Sequence, residues 1–213
     1  MNYKRIFILA AILGLMTYGI LSWIKKPEIK NIDSQGANII AFGDSLVYGV
    51  GASSRGDTDM FSLVSKSLGV NIINKGVSGN TTVDGLARLE RDVLTQDPKI
   101  VLVLLGGNDY LQKVSTTTTF SNLREIIQQI QDRGSAVVLV GVRGGVFVDR
   151  FEEDYERLSK EMHTGYIKNI LDGIITNRKL MSDSVHPNDR GYEIIALRVT
   201  PILRAILEER GEI

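Results

Sequence analysis

The sequence predicts an α/β domain, a parallel sheet covered by helices on both faces, carried behind one apolar segment at the amino terminus. Three observations carry this reading. From Asn38 onward, apolar runs of strand length alternate with segments of helical period. Glycine-containing turns directly follow several of those runs. Ahead of them lies an uncharged stretch of nineteen residues, Ile6 to Ile24, flanked by Lys4-Arg5 and Lys25-Lys26.

That first stretch is close to the ~20 residues needed to cross a bilayer, with Tyr3 and Trp23 suited to the two interfaces. It is longer than the usual apolar region of a signal peptide, and no A-x-A-like cleavage site lies between Gly19 and Lys30. Residues 1–26 are therefore expected to form an uncleaved membrane-anchoring helix, with a cleaved export signal as the alternative. A buried core helix fits less well, because the run is apolar all round and sits outside the repeating pattern. Basic residues flank both ends, so the charge bias nearly ties; the expectation is a cytoplasmic amino terminus with the rest of the chain outside. Residues 27–37, containing Pro27 and Gly36, read as a short polar tether, and 38–213 as a single domain.

Within that domain the expected strands are Ile39 to Phe42, Val70 to Asn74, Ile100 to Leu105 and Ala136 to Val142. The second is the least hydrophobic. Leu123, Ile126, Ile127 and Ile130 follow the i, i+3, i+4, i+7 spacing of an amphipathic helix, with Gly134 placed to end it in a left-handed cap. Val83, Leu86, Ala87 and Glu90 to Leu94 suggest another helix, and Asp154 to Met162 a charged one. Tyr192 to Val199 reads as a last helix, interrupted or kinked before Pro201 and resumed through Leu207. Thr116 to Thr119 reads as a low-complexity loop leading into a helix.

Composition removes several function classes. The chain has no cysteine, which excludes disulfides, thiolate metal sites and a cysteine nucleophile. Net charge is zero overall, yet five of the bases fall in the first thirty residues against one acid, leaving the remainder at −4. A mildly acidic body without a clustered basic stripe argues against a nucleic-acid partner. There is no metal-ligand spacing such as H-E-x-x-H, and only two histidines are present.

Three stretches far apart in sequence hold what a serine hydrolase requires: Gly43-Asp44-Ser45-Leu46, Gly106-Gly107-Asn108-Asp109 and Asp183-Ser184-Val185-His186-Pro187. A serine hydroxyl is a weak nucleophile at neutral pH and needs a base in hydrogen-bond reach, itself held in the right tautomer by a third group. Ser45, His186 and Asp183 are of the types required. The negative charge that develops on the carbonyl oxygen needs fixed donors, and the Asn108 amide and glycine N–H groups suit that purpose. The first and second stretches follow expected strands, and Lys75-Gly76-Val77-Ser78-Gly79-Asn80 follows another, so they would meet outside the carboxyl ends of the sheet, where open parallel sheets bind ligands.

Each residue also has a structural reading. Ser45 alone suits a helix N-cap, Asn108 after two glycines a turn, and Gly79 a loop position needing positive φ. Asp44 and Asp109 are expected to organise backbone turns. His163, beside Glu161 and Thr164, reads as a solvated surface residue. Position 47 is Val, so the G-x-S-x-G elbow of the α/β-hydrolases is not matched. Gly49-Val50-Gly51 reads as a flexible turn, and Asn80-Thr81-Thr82 fits a glycosylation sequon poorly at a pocket edge.

Taken in order, Ser45 in Gly43-Asp44-Ser45-Leu46, Gly79 in Gly76-Val77-Ser78-Gly79-Asn80-Thr81-Thr82, Asn108 in Gly106-Gly107-Asn108-Asp109 and His186 in Asp183-Ser184-Val185-His186-Pro187 resemble the four marks of the SGNH, or GDSL, hydrolase family. The similarity runs from about Ile39 to the last helix and is strongest to the arylesterase, thioesterase I and lysophospholipase L1 branch. It implies a three-layer, flavodoxin-like fold, Ser45 as nucleophile, His186 as base and Asp183 as its partner. It also implies an oxyanion hole from the N–H groups of Ser45 and Gly79 with the Asn108 side chain. The expected activity is hydrolysis of acyl esters or thioesters of small molecules or lipids through an acyl-enzyme, without cofactor or metal. Val47, Tyr48, Tyr110, Phe147 and Leu180 are candidates to line an acyl pocket. The alternatives are a cell-surface carbohydrate O-acetyl esterase and a membrane-tethered binding protein without catalysis.

Overall fold

The computed structural model describes residues 28–142 and 151–213. The expected leader helix, Pro27 at the start of the link and Phe147 lie outside that set: residues 1–27 and 143–150 are not described. Among the described residues no helix is long and apolar enough to cross a membrane.

Five parallel strands form one sheet in the order β2-β1-β3-β4-β5. They are β1 (Asn38–Gly43), β2 (Ile72–Gly76), β3 (Pro98–Leu104), β4 (Ala136–Val140) and β5 (Gly165–Ile167). Strands β1, β3 and β4 are the continuous apolar runs of the sequence, buried on both faces as a parallel sheet requires. Strand β2 begins two residues later than its pattern suggests, because Gly69 at φ +68° ends the preceding helix and Val70 belongs to that turn. Strand β5 has no apolar run to announce it; three residues pair with Val138 to Val140 at the edge of the sheet.

Helices α1 (Ser45–Tyr48), α2 (Met60–Leu68), α3 (Thr82–Asp92), α4 (Gly107–Leu111), α5 (Thr116–Asp132), α6 (Phe151–Glu161) and α7 (Asp189–Glu209) complete the described elements, with short 3₁₀ turns at Leu94–Gln96 and Arg178–Leu180. Helix α2 packs with α7, and α3 with α5 and α5 with α6, giving a helical layer on each side of the sheet. Two expectations need correction. Thr116 to Thr119 is the first turn of α5 rather than a loop: Ser115 caps it by accepting from the Thr118 N–H, and Thr119 is buried. Pro201 does not interrupt α7, which runs unbroken through it. The carbonyl that its missing N–H leaves without a partner belongs to Leu197, a 72% exposed residue where water can serve instead.

Candidate active site

The carboxyl ends of β1, β2 and β3 lie level, with Gly43 paired to both Gly76 and Leu104. The three loops that leave them therefore meet at one edge. Asp44 caps α1, its Oδ1 accepting from the Leu46 N–H at 2.9 Å, and this sets Ser45 at the first position of the helix. Ser45 is nearly buried at 8% exposure.

The segment before α7 supplies the other two groups. Asp183 Oδ1 accepts from the backbone N–H groups of Val185 and His186, both at 2.8 Å, which folds the turn and leaves Oδ2 for the imidazole. His186 Nδ1 lies 2.7 Å from Asp183 Oδ2, and Nε2 lies 3.0 Å from Ser45 Oγ. Burial works against charge on Asp183, but the bonds from the His186 ring and from the two N–H groups outweigh it and hold the carboxyl below the ordinary range. A carboxylate fixed at Nδ1 favours the tautomer in which Nε2 is the acceptor facing Ser45.

Gly79 and Asn108 lie in the segments that leave β2 and β3. Gly79 adopts φ +82° with open space where a Cβ would be, so its requirement for glycine is conformational and not steric. Gly106 needs glycine for both reasons: φ is +118° and a Cβ would fall 2.2 Å from the Tyr155 hydroxyl. That hydroxyl donates to the Leu105 carbonyl at 2.5 Å, anchoring the turn that carries Asn108. Asn108 Nδ2 donates to the Asn80 carbonyl at 3.0 Å and makes a longer contact of 3.4 Å with Asp44 Oδ2.

Three charged residues behind these loops have larger roles than turn formation. Asp109 is fully buried and ties three segments: its Oδ2 accepts from the Thr82 N–H at 2.9 Å, and its Oδ1 from the hydroxyls of Thr82 at 2.5 Å and Thr119 at 3.3 Å. Asp44 is also buried, and desolvation pushes its carboxyl up to about 7 against the opposing pull of the Leu46 N–H. Arg88 reaches from α3 to the Gly43 carbonyl (2.7 Å), the Lys75 carbonyl (3.0 Å) and Asn80 Oδ1 (2.6 Å), with Asp92 beside it at 3.0 Å. Its guanidinium thus staples the loop bearing Gly79 to the end of β1. Sequence reasoning had no hold on Arg88 beyond a cation three residues after Gly85 on the buried face of α3.

Of the expected acyl-pocket residues, Val47 must be removed. It is fully buried, and its Cγ2 packs into the space a Gly43 Cβ would take, so it supports α1 from beneath. Tyr48 and Tyr110 are 37% and 45% exposed; Arg55 stacks on the first, and Phe151 meets the second edge-on at 5.9 Å. Leu180 is half-buried in the 3₁₀ turn ahead of Asp183. Among the described residues no group of three or more His, Asp or Glu side chains is arranged to hold a metal ion.

Residues 41–194 match the family model described as GDSL-like Lipase/Acylhydrolase. An arylesterase of Vibrio mimicus is 33% identical over 133 residues, covering 60% of this chain and 66% of that protein. The thioesterase 1/protease 1/lysophospholipase L1 of Escherichia coli K12 is 30% identical over 132 residues, 59% of this chain and 64% of its own. The match thus spans just under two thirds of the length of these relatives. Among solved structures, the SGNH-hydrolase family esterase AlinE4 superposes with a TM-score of 0.60 at 31% identity, covering 81% of this chain and 97% of the other.

Proposed function

The chain belongs to the GDSL-like lipase/acylhydrolase family, and from that premise we propose that it is a serine esterase, hydrolysing acyl esters or thioesters through an acyl-enzyme on Ser45. The observation that carries the reading is the unbroken contact chain from Ser45 Oγ to His186 Nε2 and from His186 Nδ1 to Asp183 Oδ2, at 3.0 and 2.7 Å.

Ser45 Oγ attacks the ester carbonyl carbon while its proton passes to His186 Nε2. The oxyanion that forms is met by the N–H groups of Ser45 and Gly79 and by Asn108 Nδ2, which exchanges its long contact with Asp44 for the oxyanion. Each such donor lowers the barrier by roughly 3 kcal/mol. The intermediate collapses as the carbon–leaving-group bond breaks and His186 returns the proton to the departing alcohol or thiol. Water then attacks the acyl-enzyme, giving its proton to Nε2, and Ser45 is released with the acid. Asp183 keeps its negative charge throughout and orients the ring. Tyr48, Tyr110 and Leu180 wall the acyl group. Residues 1–26 anchor the enzyme in a membrane, with the catalytic domain outside the cytoplasm; Ile6 to Ile24 has the length and flanking charge for it.

Hydrolysis of a p-nitrophenyl acyl series from acetate to palmitate, by the full chain in detergent, tests this reading. Turnover lost in Ser45→Ala supports it. An optimum at acetate with a preference for acetylated glycans would instead identify a carbohydrate O-acetyl esterase, and no turnover of any ester or thioester would point to a binding protein.

A further inference from the structure

Residues 28–37, which composition reads as a tether, are bound to the domain. The Lys30 N–H donates to the His163 carbonyl at 2.8 Å, and Asn31 Nδ2 to the carbonyls of Gln131 (2.8 Å) and Ser135 (3.2 Å). The Arg210 guanidinium donates to the carbonyls of Ile32 and Ser34. The N–H groups of Ala37 and Asn38 donate to the Asp97 carbonyl at 3.0 and 3.1 Å.

All these partners sit at the amino end of the sheet. Asp97 precedes β3, Ser135 precedes β4, His163 precedes β5, and Arg210 closes α7. Ser45, Gly79 and Asn108 follow the opposite ends of the strands, and His186 stands three residues before α7 begins. Helix α7 therefore measures the separation: its 21 residues, at ~1.5 Å each, place the catalytic face about 30 Å from the clamp at Arg210.

The link between this clamped foot and the apolar run is short. Only Lys25, Lys26 and Pro27 lie between Ile24 and Glu28. Three residues reach at most ~11 Å when fully extended. The domain cannot roll its far face round to the place where its own chain enters.

We infer that the anchored enzyme holds its catalytic face away from the bilayer containing residues 6–24, and so takes acyl esters presented from the aqueous side and spares the lipids of its own membrane. The inference rests on the reading of an uncleaved anchor and of an esterase site given above.

The test uses the full chain in phosphatidylcholine vesicles and one fluorogenic ester, umbelliferyl butyrate, supplied in three ways: free in solution, fixed to a diether lipid in the enzyme's own vesicles, and fixed to that lipid in separate vesicles. A second chain carries 40 Gly/Ser residues between Lys26 and Pro27, a flexible coil of roughly 35 Å that matches the distance from foot to catalytic face. The expected result is equal turnover of the free ester by both chains, turnover of the ester in separate vesicles by the native chain, and same-vesicle turnover at least roughly tenfold faster with the insertion. Equal same-vesicle rates for the two chains would overturn the inference, as would a mature amino terminus beyond Ile24 by mass spectrometry. Loss of turnover of the free ester in both chains is a different result: it removes the esterase reading, and this inference with it.

Discussion

Two carboxyls at opposite ends of the sheet, Asp44 and Glu212, are held in opposite ways. At the catalytic end, Asp44 is buried against neutral donors, the Leu46 N–H and the Asn108 amide, and desolvation lifts its carboxyl to about 7. At the foot, burial also works against the charge of Glu212, yet Lys99 at 2.5 Å and Arg210 at 2.6 Å outweigh it and keep that carboxyl below the ordinary range. The foot is built as ordinary stabilising structure. The catalytic end tolerates a carboxyl in an unfavourable setting because that group caps α1 and touches Asn108, so the loops bearing reactive groups are fixed before any substrate arrives. The contrast predicts that changes at the catalytic end alter turnover or pH dependence, whereas changes at the foot alter stability alone.

Asn108→Ala should sharpen this contrast most. Removing the amide from the carbonyl-oxygen side of Ser45 is expected to lower kcat on p-nitrophenyl butyrate by at least roughly 100-fold, with KM little changed, as steady-state kinetics would show. A kcat within a few-fold of the parent would break the assignment of that amide. Arg88→Leu comes next. It leaves the carbonyls of Gly43 and Lys75 and the Asn80 side chain without their donor and Asp92 without its buried cation. The expected loss is about 3 kcal/mol in urea unfolding, together with reduced turnover from a loosened Gly79 loop.

The Asp44→Asn substitution keeps the acceptor for the Leu46 N–H and removes the titration. A carboxyl raised in the folded protein binds its proton more tightly there than in the unfolded chain. Its contribution to stability is therefore full below the unfolded value near 3.8 and is lost as pH rises toward about 7. Thermal denaturation should show the parent losing on the order of a few kcal/mol across that window, and the Asn variant a flatter profile. The smallest effect belongs to the foot. Asn31→Ala removes the bonds to Gln131 and Ser135 and should cost about 1 kcal/mol in urea unfolding, with kcat unchanged. A fall in kcat there would contradict the separation of the two ends.

Much of this architecture was legible because it is written locally. Strands β1, β3 and β4 are unbroken apolar runs, and Ser45, Gly79, Asn108 and His186 each sit in short stretches with glycine, asparagine or proline at telling positions. The Asp183 to His186 spacing is itself a local turn, held by N–H groups two and three residues on. What sequence missed depends on contact between distant segments. Strand β5 exists through its pairing with β4, Asp109 gains its importance from Thr82, 27 residues away, and Arg88 from the Gly43 carbonyl, 45 residues away. Val47 looked like a pocket residue beside the serine, but the tight seating of α1 over Gly43 turns it into the core. Residues 28–37 show the same limit at the other end: a polar composition reads as a linker, and only the carbonyls presented by neighbouring loops make it part of the fold.

The most direct test of the account is to treat the full chain with a fluorophosphonate and map the adduct by peptide mass spectrometry. Attack by Ser45 predicts one phosphonyl group on the peptide containing Ser45, with labelling abolished in Ser45→Ala and strongly slowed in His186→Gln. An enzyme that hydrolyses esters yet carries the label on another residue, or none, would contradict it.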